Sequence, residues 1–148
     1  MALQQTATTS FKVELLQGVH NFGPTSADTF KVALYTAASN IGPTTTVYTT
    51  SNEVVGAGYT AGGNTLVITT SPIASNNSSS VPTAYISFAN TSWTSSTFTA
   101  RGALIYNSTE GNKSVAVLDF GADKTVSNDT FQIIFPTADA NSAIVRIS

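Results

Sequence analysis

Residues Phe98–Phe120 read FTARGALIYNSTEGNKSVAVLDF, and this stretch decides the fold class. Leu104 and Tyr106 fall on one side of an extended chain, Ala103 and Ile105 on the other. Beyond Glu110-Gly111-Asn112, Val115 and Val117 oppose Ala116, Leu118 and Phe120. Side chains of a strand alternate between its faces, so a period of two with β-branched enrichment marks two strands. Gly and Asn tolerate the positive φ of a tight turn, so Phe98–Tyr106 and Ser114–Phe120 are expected to close as a hairpin.

The same period extends outward in both directions. Strands are expected over Thr29–Thr36, Thr65–Thr70, Ala84–Ala89, Thr130–Phe135 and Ala143–Ile147, with one or two short ones in Val47–Val55. Gly62-Gly63-Asn64 reads as a tight turn, Asp119 and Asp123 flank a glycine turn, and Ser71–Ser80 reads as a low-complexity loop. The period changes to four only at Phe11, Leu15 and Val19, which predicts a short helix with Ser10 as its N-cap and Gly18 near its end. The expected fold is all-β: a two-sheet β-sandwich, jelly-roll-like, with one short N-terminal helix. Residues 1–10 read as a polar arm and 11–148 as a single sandwich domain.

Composition restricts the partners. Apolar residues make up 41% of the 148, enough for a core, while charged residues make up only 9% against a usual value of about 25%. The surface is therefore largely Thr, Ser, Asn and Gln. Six cations and eight anions are scattered singly, so the counterion release that drives binding to nucleic acid or an anionic membrane has no basic stripe to act through. There is no cysteine, which excludes disulfides and thiolate metal sites. Met1–Ser10 has neither a positive nor an apolar region, so no secretory signal is expected. The arm and Ser75–Ser80 bury too little to offset their own ordering, and so few lysines leave strand edges that must be short or covered. Both features predict neighbours that pin the chain.

Catalytic constellations are sparse. His20 is the one histidine, so a Ser–His–Asp triad or a three-ligand zinc site would have to be built around it, and the reading favoured for it is a packed or helix-capping role. Glu53, Glu110, Asp119, Asp123, Asp129 and Asp139 are the carboxylates that a glycosidase pair would draw on, but most sit where Asp stabilises turns. Asp119 and Asp123 could hold a calcium ion with carbonyl oxygens. Trp93, with Tyr85 and Phe88 nearby, could form a sugar-stacking platform, though a single tryptophan more often fills a core or an interface. No catalytic, cofactor-binding or metal site is assigned.

In order along the chain stand FKVELLQGVHNF (11–22), DTFKVALYT (28–36), SNEVVGAGYTAGGNTL (51–66), FTARGALIYN (98–107), SVAVLDFG (114–121) and FPTADANSAIVRIS (135–148). Together they resemble a family of small tailed-bacteriophage virion structural proteins, most specifically at residues 99–107 and 117–121. The resemblance implies a capsid decoration (cement) protein on the virion surface, assembled in the host cytoplasm. Its partners would be other copies of itself, as a symmetric oligomer, and the major capsid protein; no nucleic acid, membrane or cofactor is implied. The contacts are expected at Met1, Ala2, Leu3, Gln4 and Gln5 of the arm, around Trp93, and at Arg101, a strand arginine suited to a carboxylate partner. A tail, baseplate or fibre-adaptor role is the first alternative and a glycan-binding host-attachment module the second.

Overall fold

A computed structural model describes residues 3–75 and 81–148. The elements are β1 (Thr6–Ala7), α1 (Thr9–Leu16), β2 (Phe30–Tyr35), β3 (Asn64–Thr65), β4 (Ile68–Ser75), β5 (Thr83–Phe88), β6 (Thr91–Asn107), β7 (Lys113–Ile133) and β8 (Val145–Ile147). They form two antiparallel sheets, one in the order β1-β7-β6-β2-β3 and the other β4-β5-β8. The expected all-β two-sheet sandwich with one short helix is what forms.

Its spine is the hairpin the sequence announces. Asn107 pairs with Lys113, and the turn between them carries Gly111 and Asn112 at φ 67° and 62°. The hairpin runs further than expected, because the Asp119–Asp123 segment does not end a strand. Ala100 pairs with Lys124 and Gly102 with Asp119, so residues 120–123 bulge out and pairing resumes beyond them. A bulge inserts residues without abandoning the ladder. The expected strand at Thr130–Phe135 is thus the far end of β7.

Both faces of the upper hairpin are buried, which is why 103–106 and 115–117 read as almost continuous apolar runs. On one face Val32, Leu34, Ala103, Ile105 and Val115 join Ile86, Phe88 and Phe135 in the main core. On the other, Ala33, Tyr35, Leu104, Tyr106 and Val117 are covered by Leu3 and Ile41.

Several expectations need correcting. The arm is part of the domain: Leu3 is 6% exposed, Thr6 and Ala7 pair with Val117 and Ala116, and the Gln4 N–H donates to the Ile41 carbonyl. Leu3 can settle there because Gly102 has no side chain; a Cβ would lie 2.7 Å from Leu3 Cδ1. The chain's own sheet supplies the pinning that was expected from a neighbour. The helix begins two residues earlier than its stripe suggests: Thr8, not Ser10, is the N-cap, and its hydroxyl accepts from the Phe11 N–H. Val19 lies beyond the helix, and Leu16 is 92% exposed. The Ser71–Ser80 loop is strand as far as Ser75, because Ile73, Ala74 and Ser75 pair with Tyr85, Ala84 and Thr83; residues 76–80 lie outside the described residues. Val47–Val55 contributes only single bridges, Val47 to Lys113 and Glu53 to Tyr35.

Truncating Leu3 tests the docked arm. Leu3→Ala is expected to cost about 2 kcal/mol, the low end for a buried leucine, read as a lowered urea midpoint. A wild-type midpoint in that variant would mean that the arm is not seated on Gly102.

Candidate functional site

Two buried polar clusters and one groove make up the chemistry of the described residues. The first cluster joins α1 to the hairpin turn. His20 sits where the chain leaves α1, its ring against Phe11. Asn107, at the end of β6, accepts the N–H groups of Thr109 and Glu110 on its Oδ1. Its amide nitrogen therefore faces Asp28 Oδ2 at 2.7 Å and His20 Nδ1 at 3.0 Å. Nδ1 must accept, so the Nε2–H donates to Glu14 Oε2 at 3.0 Å, and Glu14 Oε1 accepts from Lys113 Nζ at 2.7 Å. Burial alone would raise the Glu14 carboxyl, but the hydrogen bonds from Lys113 and His20 outweigh it and hold the group below its usual range.

A lowered carboxyl stabilises the fold above its unfolded value and loses that stabilisation as pH falls. The Glu14 contribution is thus expected to disappear from about pH 4.3 downward. Lys113→Met should lower stability near neutrality and flatten the loss in melting temperature between about pH 6 and about pH 3; an unchanged acid slope would exclude this pairing.

The second cluster lies on the opposite face. Glu53 is 6% exposed. Oε1 accepts from Tyr59 Oη at 2.6 Å and the Gly62 N–H at 2.7 Å, and Oε2 accepts from Tyr48 Oη at 2.6 Å. Tyr106 donates to the Gly62 carbonyl, and Tyr35 to that of Thr49. Burial first and the Glu53 charge second push the Tyr106 phenol up to about 12. Tyr48 and Tyr59 are raised by burial and by their hydrogen bonds to Glu53, and Tyr35 by burial and the nearby charge. In both clusters the carboxylate is saturated by donors of the scaffold. Sequence reasoning passed over Glu14, Asp28 and Asn107; the one signal for them was a Glu six residues before the single histidine.

The groove runs along one side of the sandwich, where the two sheets part. The segment 141–147 forms one wall and β1 with α1 the other. Its main hollow is about 380 Å³, floored by Ala7, Phe11, Leu15, Ala116, Ala143 and Val145. An apolar recess beside Phe22 and Ile86 continues it at one end, and a shallower hollow beside Val117 and Leu118 at the other. Among the described residues, neither β1 nor β8, each the outer strand of its sheet, is paired on its outer edge.

The expected site residues fall apart on this geometry. Met1 and Ala2 lie outside the described residues. Leu3 is buried and Gln4 exposed, and Gln5 lines the groove. Trp93 is 4% exposed, packed on Tyr59 and Phe131, so it offers no face to a partner or a sugar. It belongs to the core because Trp93 pairs with Phe131 on the inward face of the hairpin. Phe88 is buried too, which removes the sugar-stacking platform, the lesser of the two readings of Trp93. Arg101 does meet a carboxylate, but one of its own chain: Nε lies 3.1 Å from Asp119 Oδ1 on the neighbouring strand. The Gly121 N–H and then Arg101 hold the Asp119 carboxyl low. Among the described residues Asp119 and Asp123 belong to no group of three or more His, Cys, Asp or Glu side chains placed to hold a metal ion.

The longest open edge, β7 beyond Asp119, is guarded. Exposed Lys124 lines a hollow on this edge with Phe120 and Phe131, and Asn128 at φ 49° sits in a bulge of the strand. Edge lysines and bulges are how natural edges avoid pairing with another chain. No described helix is long and apolar enough to cross a membrane. In comparisons with family models, curated proteins and solved structures, the chain matches none.

Proposed function

We propose that this protein is a non-enzymatic structural component of a tailed-bacteriophage particle, a capsid decoration protein that binds and stabilises the assembled head lattice. The sequence resemblance supplies the family. The observation that carries the reading from the structure is the groove: an apolar hollow between two unpaired strand edges, on a surface with few charges, suits protein docking. The buried ionisable groups support it as well, since Glu14, His20 and Glu53 are all engaged in fastening loops and helix to the sheet.

Such a protein works by mass action. Binding only the assembled lattice stabilises it by about 2.7 kcal/mol per site when the free concentration is a hundredfold above Kd. Neither catalysis nor a deep pocket is needed. A weakly charged surface also keeps many copies close together without mutual repulsion.

The test is a binding assay with purified protein against bare expanded capsids and, separately, isolated tails. Saturable binding to capsids at about hundreds of copies per particle is expected, the closed-symmetry count for a shell. Binding to tails alone, at about six to a few dozen copies, would replace the head assignment with a tail or baseplate one. Binding to neither would end the reading.

A further inference from the structure

The groove between β8 and the β1–α1 segment has features that say what would fill it. Its walls are strand edges whose outward N–H and C=O groups have no strand partner among the described residues. Both flanking strands are short, three residues in β8 and two in β1, so they lack the length to close the sandwich themselves. The floor is core: Phe11, Ala116 and Ala143 belong to the buried set although the hollow reaches them. A segment that fits must therefore be extended, pair with a strand edge, and place aliphatic side chains inward at every second position.

Charge fixes the rest. Of the chain's six cations, Lys113 and Arg101 have a carboxylate within 4 Å. Lys12, Lys31, Lys124 and Arg146 form no such pair among the described residues, and two of these four, Lys12 and Arg146, stand on the groove. Among the described residues no acidic side chain lines it. The charge of Arg146 reaches Asp139 through space, but Asp139 Oδ1 accepts the N–H groups of Asn141 and Ser142. The rim thus offers two cations, with Gln5 and Asn141 as neutral hydrogen-bonding groups.

We propose that the groove accepts an extended segment of another protein in which aliphatic residues alternate with carboxylates, added as a strand along β8, its acids meeting Lys12 and Arg146. This deepens the reading above and rests on its claim that the chain works docked to a partner. The bulged β7 edge supports the assignment to this side of the molecule, where β8 runs without a register shift beside an apolar floor.

The probe is a capped peptide of about seven residues alternating valine and glutamate, titrated into the full ¹⁵N-labelled chain, with a valine–lysine and a serine–glutamate peptide as comparisons (length set to the span of the groove at about 3.3 Å per residue). The expected result is a shift of the Thr6, Ala7 and Val145–Ile147 amides by the valine–glutamate peptide alone. Lys12→Glu with Arg146→Glu should weaken that binding at least about tenfold, about 1.4 kcal/mol, with the rest of the spectrum unchanged. Should that pair unfold, Lys12→Gln and Arg146→Gln singly should each still weaken binding. Three results would overturn the proposal: no shift at about 1 mM peptide, the affinity at which binding is worth only about 4 kcal/mol; equal binding of the lysine peptide; or shifts mapped elsewhere. The capsid assay is independent of this one, so the groove and the particle role can fail separately.

Discussion

Glu53→Ala is expected to be among the most damaging single substitutions in this chain. It removes the acceptor of two phenols and one backbone N–H, all within 2.7 Å, and leaves the donors buried. Stranding the partners of a buried charge costs about 3–5 kcal/mol, a large share of the about 5–15 kcal/mol a domain possesses. Glu53→Gln should cost much less, because its remaining oxygen can keep Tyr59 and Gly62 while the Tyr48 hydroxyl rotates to accept. The pair of variants separates hydrogen bonding from charge. In the wild type the tyrosines are raised, so stability is whole below the unfolded phenol value of about 10 and is lost as pH rises beyond it, toward about 12 in the case of Tyr106. Removing the negative charge lowers the folded phenol values and narrows that window. Glu53→Gln should therefore show a shallower alkaline loss in melting temperature than the wild type; a steeper one would show that Glu53 does not act on the tyrosines through its charge.

Gly63→Ala should do at least as much harm by an unrelated route. Gly63 has φ 67°, where a Cβ is strained, and that Cβ would lie 1.8 Å from the Val32 carbonyl oxygen. The obstacle is backbone of β2, held between β6 and β3, and cannot swing aside. The expected cost is about 4 kcal/mol or more, the range reserved for mutations that force backbone to move, measured by urea unfolding. Gly111→Ala is the control: φ is also 67°, but nothing lies within 4 Å of its Cβ. It should cost only the left-handed penalty of about 1–2 kcal/mol. Equal losses at the two positions would show that conformation, not the close approach to Val32, is what Gly63 provides.

The fold was largely legible because its central hairpin is patterned locally. Alternation at Leu104–Tyr106 and Val115–Phe120, and the turn at Gly111-Asn112, need no knowledge of distant residues. What was illegible depended on distance. The bulge at 120–123 looks like a chain reversal in sequence, since glycine flanked by aspartates serves either purpose, and only pairing of Ala100 with Lys124 decides between them. The arm looks too polar to order because its one large apolar anchor, Leu3, has a seat that exists only when Gly102 is beneath it. Trp93 reads equally as core or interface, since a stretch of Thr and Ser hides which face is inward. Phe131, across the hairpin, turns it in. The His20 cluster was half legible. A packed histidine was expected, yet the residues that orient it, Asn107 and Asp28, come from segments 87 and 8 positions away in the chain. The groove could not be read at all, for it arises from the shortness of two edge strands at opposite ends of the sequence.

That last arrangement bears on how the chain is made. Thr6 finds its ladder partner at Val117, and Thr8 shares a hydroxyl contact with Ser114 across 106 positions. Pairings that close such large loops form late, because the intervening chain must first be brought together. During synthesis the residues of β1 and α1 therefore emerge from the ribosome long before anything exists to receive them, and they stay loose until the Ala116–Val117 part of β7 has been translated. Any chaperone or truncation that catches the chain in that interval meets a species with Phe11 and Leu3 uncovered, which is where premature clumping would begin.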